Sequence, residues 1–186
     1  ISEGIDAAET DFSYGHVMNR ESFSQAAALH RKLDPVEMAE RLYALGHYYK
    51  WPWIAVEDNG PGLACLLELR KLRYPKLYRA KRLDLDTQAE TEKLGWHTDL
   101  KTRPLILSAI KTAIKTQSYR LLEPELLHEL TTFCRQKDGS YRANSGTWDD
   151  RVMGTAIAIY LHGMLPYRPD DQEDERDRAR HVADRT

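Results

Sequence analysis

Apolar and polar positions alternate in short strand-like runs over the first thirty residues and then change to helical spacing. Ile1 to Asp6, Ser13 to Met18 and Ser22 to Leu29 read as strands, the last two joined by the turn Asn19-Arg20-Glu21. Asp34-Pro35-Val36-Glu37 combines a cap, a proline at the first helical position and an acid three residues after the cap. It predicts a helix whose Met38, Leu42, Leu45 and Tyr49 share one face. Trp53 to Val56 reads as a buried strand ending at Glu57, and Asn59-Gly60-Pro61-Gly62 breaks the chain before an apolar helix over about Leu63 to Leu72.

Leu77 to Lys81 reads as another strand, and the polar stretch Asp84 to Lys93 as a loop. Thr102-Arg103-Pro104 opens a helix striped by Leu105, Ile106, Ala109, Ile110 and Ala113, and Glu123-Pro124-Glu125 starts a further helix through about Thr132. Phe133 to Arg135 and Ser140 to Ala143 flank Lys137-Asp138-Gly139 as a hairpin that delivers the chain to Asp149 and Asp150. From Arg151, the spacing of Val152, Met153, Ala156, Ile157, Tyr160 and Leu161 predicts a final amphipathic helix. Strands first, then helices alternating with strands, predict an α/β fold with a mixed sheet flanked by helices.

With 186 residues the chain is sized for one domain with its own core. We expect that domain over 1–166 and a charged, disordered tail over 167–186, where no Phe, Tyr or Trp follows Arg168. The two cysteines, Cys65 and Cys134, have no second thiol or His at metal spacing and read as reduced core residues. No apolar run reaches the length of a membrane span, and no signal peptide or phosphate-cradling GxxxxGK[ST] loop is present. The start at Ile1, part-way along a strand, suggests an excised domain or a processed product whose other half is absent.

The net charge of −2 gives no global attraction to nucleic acid, but Lys71, Arg73, Lys76, Arg79, Lys81 and Arg82 form a basic run able to hold a phosphate backbone. Against it stand three acidic clusters at the edges of apolar segments: Asp6, Glu57-Asp58 and Asp149-Asp150. Singly, each has a plain reading as turn acid, strand end or helix cap. Brought together they would repel one another unless a cation neutralised them, and carboxylate oxygens are the ligands that hard cations such as Mg²⁺ select. The seven His read as surface or half-buried residues, with His97 and His162 the nearest to an exception. Trp51, Trp53, Trp96, Tyr48 and Tyr49 read as core or near-core residues, because they do not fall on one alternating strand face as a base-stacking platform would.

In order and context the clusters resemble the nuclease domain of the large terminase subunit of tailed double-stranded DNA bacteriophages. Gly4-Ile5-Asp6-Ala7-Ala8-Glu9 with Asp11-Phe12-Ser13 is similar to that family's first-strand motif, and Val56-Glu57-Asp58-Asn59-Gly60-Pro61-Gly62 to its second. Gly95-Trp96 through Lys101-Thr102-Arg103-Pro104 resembles the segment leading into a helix, and Asp149-Asp150-Arg151-Val152-Met153 the closing motif. The resemblance runs from Gly4 to about Leu161 and rests on the ordered set. One departure is Trp148, where the closing motif often carries His.

The resemblance implies a ribonuclease H-like fold and an endonuclease that cuts concatemeric phage DNA during genome packaging, in the cytoplasm of the bacterial host. It implies double-stranded DNA as substrate, and an ATPase motor domain, a small terminase subunit and a portal as partners. Asp6, Glu57 and Asp150 would be ligands of two Mg²⁺ or Mn²⁺ ions, with Asp149 an auxiliary ligand or supporting acid. The two ions would activate water and stabilise the leaving 3′ oxygen. Lys101 and Arg103, before a helix, and Arg79, Lys81, Arg82 and Arg151 are the candidate DNA-backbone contacts, Lys101 and Arg103 aided by N–H groups of the helix start. A catalytically silent binding module for a packaging partner, or a junction resolvase-like nuclease, would use the same fold.

Overall fold

The computed structural model of the chain describes residues 12–83, 90–136, 141–143 and 148–165, and their side chains except those of 82, 83 and 90. The strand expected at Ile1 to Asp6, the hairpin tip and the charged tail lie outside the described residues. Among the described residues the fold is mixed α/β, with five helices and small antiparallel strand pairs.

Strands β1 (Ser13–Asn19) and β2 (Ser24–Arg31) form the first pair. The turn between them is set locally: Asn19 Oδ1 accepts from the N–H groups of Glu21 and Ser22 at 3.0 and 3.1 Å. Helix α1 (Pro35–Tyr48) begins with the expected reciprocal capping of Asp34 and Glu37. Helix α2 (Gly60–Lys71) starts earlier than expected, because Asn59 is its cap and Pro61 lies in its first turn. The Asn-Gly-Pro-Gly segment therefore begins the helix instead of preceding it.

The run before α2 is strand-like without forming a full strand. Ile54 bridges Leu77 and Glu57 bridges Trp96, both in parallel sense. The Ile54 N–H donates to Lys76 O at 2.9 Å, and the Trp96 N–H to Val56 O at 2.8 Å. Side chains alternate across this run. Ile54 and Val56 pack with Met38, Leu66 and Leu69 of α1 and α2, whereas Ala55 packs with the second core cluster, which includes Ile106, Val152 and Ala156.

Strands β3 (Arg79–Leu83) and β4 (Glu90–Leu94) pair antiparallel, so the expected loop over Asp84 to Lys93 is corrected: its last four residues belong to a strand. Here pairing overrides a polar composition, with Lys81 opposite Glu92. Helix α3 (Thr102–Lys115) buries Ile106, Ile110 and Ala113 as expected, but Leu105 is exposed. Helix α4 (Pro124–Thr132) leads into β5 (Phe133–Arg135), paired with β6 (Tyr141–Ala143). Helix α5 (Asp150–Met164) packs along β1 and α3 and buries Val152, Met153, Ala156, Ile157 and Leu161.

Both cysteines are free thiols; burial pushes that of Cys65 up to about 12, whereas Cys134 is only half-buried. Among the described residues no helix is long and apolar enough to cross a membrane.

Candidate functional site

Two of the sequence-predicted acids converge on one groove. Glu57, at the end of the strand-like run, and Asp150, in the first turn of α5, both line a groove of about 270 Å³. Its other walls are β1, α1 and the apolar face of α5, including Gly15, Leu42, Met153 and Ile157. Ile54, Ala55, Val56 and Glu57 all line the groove, so the strand-like run forms one wall, and the first turn of α5 brings Asp150 to the same space.

Glu57 is held by the elements on either side. The N–H of Asp58 donates to Trp96 O at 2.7 Å, fixing the strand end. Gly62 of α2 lies so close beneath that a Cβ there would stand 1.8 Å from the Glu57 carbonyl oxygen. Asp58 is buried, with Lys93 Nζ 2.7 Å from one carboxylate oxygen and His97 Nδ1 2.5 Å from the other. Burial alone would raise its pKa, but hydrogen bonds from Lys93 and His97 outweigh it and hold the carboxyl below the usual range. His97 is therefore engaged by Asp58, and His162 stacks on Phe23 with ring centroids 4.5 Å apart.

Asp149 caps α5 without a side-chain bond to the helix; Arg103 Nη2 lies 3.3 Å from its Oδ2 and donates to Tyr141 O at 2.9 Å. Arg103 thus ties α3, β6 and the start of α5 together. The N–H groups of Lys101 and Thr102, expected to face phosphate, donate instead to Asp99 Oδ1 at 2.8 Å. Those backbone bonds, from Thr102 and then Lys101, hold the Asp99 carboxyl below its ordinary range. The Lys101 side chain is exposed, as are those of Arg79 and Lys81 on β3, while the Arg82 side chain lies outside the described residues.

Arg151 departs most from expectation. Its half-buried guanidinium lies between Glu123, 2.7 Å from Nε, and Glu129, 2.6 Å from Nη1, with His30 Nδ1 2.8 Å from Nη2. A guanidinium engaged at all three of its nitrogens serves as a structural ion, whereas the sequence suggested a DNA-backbone contact. Glu123 also accepts from Tyr14 at 2.8 Å and Gln25 at 3.1 Å. The network continues through His16, whose Nε2 lies 2.7 Å from the Tyr119 hydroxyl and whose Nδ1 lies 3.1 Å from the Thr155 hydroxyl. Burial depresses the His16 pKa to about 4. Sequence reading missed this network, because its members are single polar residues on five separate elements or connections, without a shared motif.

The donor set suits a hard cation, since Glu57 and Asp150 offer only carboxylate oxygens. Among the described residues no three His, Cys, Asp or Glu side chains gather as a metal-holding group, and Asp6 lies outside them.

No protein-family model matches the sequence, and no curated protein matches it significantly. Solved structures do. The large terminase nuclease from thermophilic phage G20c with bound magnesium superposes with a TM-score of 0.63 at 18% identity, covering 80% of this chain and 74% of that one. The same nuclease with bound cobalt gives a TM-score of 0.60 at 17% identity, covering 80% and 81%. The resemblance seen in the motifs is thus met by the fold, which is similar to that of the large terminase nuclease.

Proposed function

We propose that this chain is a divalent-metal-dependent DNA endonuclease of ribonuclease H-like fold, which cuts concatemeric double-stranded phage DNA during genome packaging. The observation that carries this reading is the convergence of Glu57 and Asp150 on one groove, in a fold similar to a terminase nuclease whose structure holds magnesium. Asp6, Glu57 and Asp150 would hold two Mg²⁺ or Mn²⁺ ions, and Asp149, which pairs with Arg103, would support them. When bound, the cations supply Lewis-acid stabilisation of charge on the phosphodiester and make water a nucleophile near neutral pH.

The protein's own part is geometry. The Trp96 carbonyl and α2 fix the backbone at Glu57, and the packing of α5 along β1 fixes Asp150. Arg79, Lys81, Arg82 and the Lys101 side chain contact the DNA backbone, giving salt-sensitive and sequence-tolerant binding. The reading carries with it the ATPase motor domain, small terminase subunit and portal as partners, and the host cytoplasm as the place of action.

The test is cleavage of supercoiled plasmid by the purified chain with Mg²⁺, with Mn²⁺ and with chelator, alongside Asp6→Ala and Asp150→Ala. Cation-dependent nicking lost in both variants is expected. Cleavage that survives chelator or either substitution would overturn the assignment. A folded chain that binds DNA or a packaging partner without cutting under any cation would favour the silent binding module.

A further inference from the structure

The start of α5 is capped in an unusual way. Asp149, the residue at the cap position, makes no side-chain bond to the first turn and is directed to Arg103. The N–H of Arg151 is nevertheless satisfied: it donates to Glu129 Oε2 at 3.0 Å, and Glu129 belongs to α4. The other carboxylate oxygen of the same residue, Oε1, accepts from the Arg151 guanidinium at 2.6 Å. Glu129 is only 5% exposed. A carboxylate buried this deeply persists only where its oxygens are well bonded, and here both are spent on the residue that follows Asp150.

We infer that Glu129 is the N-terminal cap of α5, delivered from another helix, and that with Glu123 and Arg151 it forms a clamp that fixes the position of Asp150 at the groove. Capping is ordinarily done by a side chain just ahead of the helix, which leaves the first turn free to shift with its own loop. Here one carboxylate grips Arg151 at both backbone and guanidinium, a two-point attachment that resists rotation of the first turn. Glu123 closes the clamp on Nε at 2.7 Å and is itself anchored by Tyr14 of β1. None of Glu123, Glu129 and Arg151 lines the groove, so they act on the site only through the placement of Asp150 and are positioning residues. The second half of this inference rests on the proposed role of Asp150; the cap itself does not.

The experiment compares the full chain with Glu129→Ala and Glu129→Gln by amide hydrogen exchange and by titration with Mn²⁺. In Glu129→Ala, the first-turn amides of α5 should exchange faster, by about tenfold, while those in the middle of α3 keep their protection. Mn²⁺ affinity should fall by about tenfold or more, the size of effect seen when the supports of metal ligands are removed. Glu129→Gln keeps an acceptor for the Arg151 N–H and should recover the exchange protection, which a nonspecific loss of packing would not do. Unchanged exchange at Arg151 in folded Glu129→Ala would overturn the cap. Faster exchange with unchanged Mn²⁺ affinity would overturn the positioning role. If the unsubstituted chain binds no Mn²⁺, the proposed site and the positioning role fall together, and the exchange data still decide the cap. Should Glu129→Ala not fold, Arg151→Lys, which keeps the charge and loses the Glu123 contact at Nε, serves in its place with the same readings for Asp150.

Discussion

Gly62→Ala should damage the molecule where the same substitution at Gly163 would not. The added Cβ would stand 1.8 Å from the Glu57 carbonyl oxygen, 3.0 Å from its carbonyl carbon and 3.1 Å from Asn59 Oδ1. An ordinary C···O approach is about 3.3 Å, so helix α2 and the end of the strand-like run must part by about 1.5 Å. Both obstacles at Glu57 are backbone, which cannot swing aside as a side chain can. Overpacking of this kind costs about 1–3 kcal/mol, and alanine's better helix propensity returns at most about 1 kcal/mol. A net loss of about 1–2 kcal/mol corresponds to a Tm lower by about 3–8 °C in a chain of this length. The larger effect falls on Glu57, because a displacement of about 1 Å at a reacting centre can cost about a hundredfold in rate. Thermal unfolding and plasmid cleavage measured together provide the assay, with Gly163→Ala as the control, since a Cβ at Gly163 meets nothing within 4 Å. The control should match or exceed the parent in stability, by up to about 1 kcal/mol. A Gly62→Ala chain with the parent's Tm and cleavage rate would show that this close approach constrains neither the fold nor Glu57.

Other substitutions follow from the same geometry. Arg151→Ala leaves Glu129 buried and Glu123 half-buried without their cation and should cost about 3–5 kcal/mol, read as a Tm fall of about 6–20 °C; an unshifted Tm would refute the clamp. His16 titrates near 4 in the fold and near 6.5 when unfolded, so the unfolded chain takes up its proton first as pH falls. His16 should therefore lower stability progressively between about pH 6.5 and 4, by at most about 3 kcal/mol, with no effect above that window; denaturant unfolding of His16→Gln should show a flatter slope there. Asp150→Asn keeps the shape of the first turn but weakens cation binding, so cleavage should fall by more than about a hundredfold while Tm in chelator stays near that of the parent.

Local signals were legible in the chain. Asp34, Pro35 and Glu37 announced α1 because a capping box is made within four residues, and the apolar stripes of α3 and α5 marked their buried faces. Glu57 and Asp150 could be singled out because each ends or opens an apolar segment. Strand β4 was illegible: Thr91, Glu92 and Lys93 have the composition of a loop and become a strand only through pairing with β3. Arg151 read as a surface charge since its partners, Glu123, Glu129 and His30, come from elements distant in sequence. Asp58 was overshadowed by Glu57, and only the return of β4 brings Lys93 and His97 to it. The start of α2 was misplaced because Gly-Pro-Gly reads as a break, whereas Asn59 stands at the cap position without a side-chain bond and Pro61 suits a first turn.

If the proposed site exists, Glu57 and Asp150 share a cation. Anomalous diffraction from crystals of the chain grown with Mn²⁺ decides this. A manganese peak is expected in the groove within coordination distance of a carboxylate oxygen from each residue, lost in Asp150→Ala crystals under the same conditions. Manganese bound elsewhere, with the Glu57 and Asp150 carboxylates both clear of it at saturating Mn²⁺, would rule the shared site out.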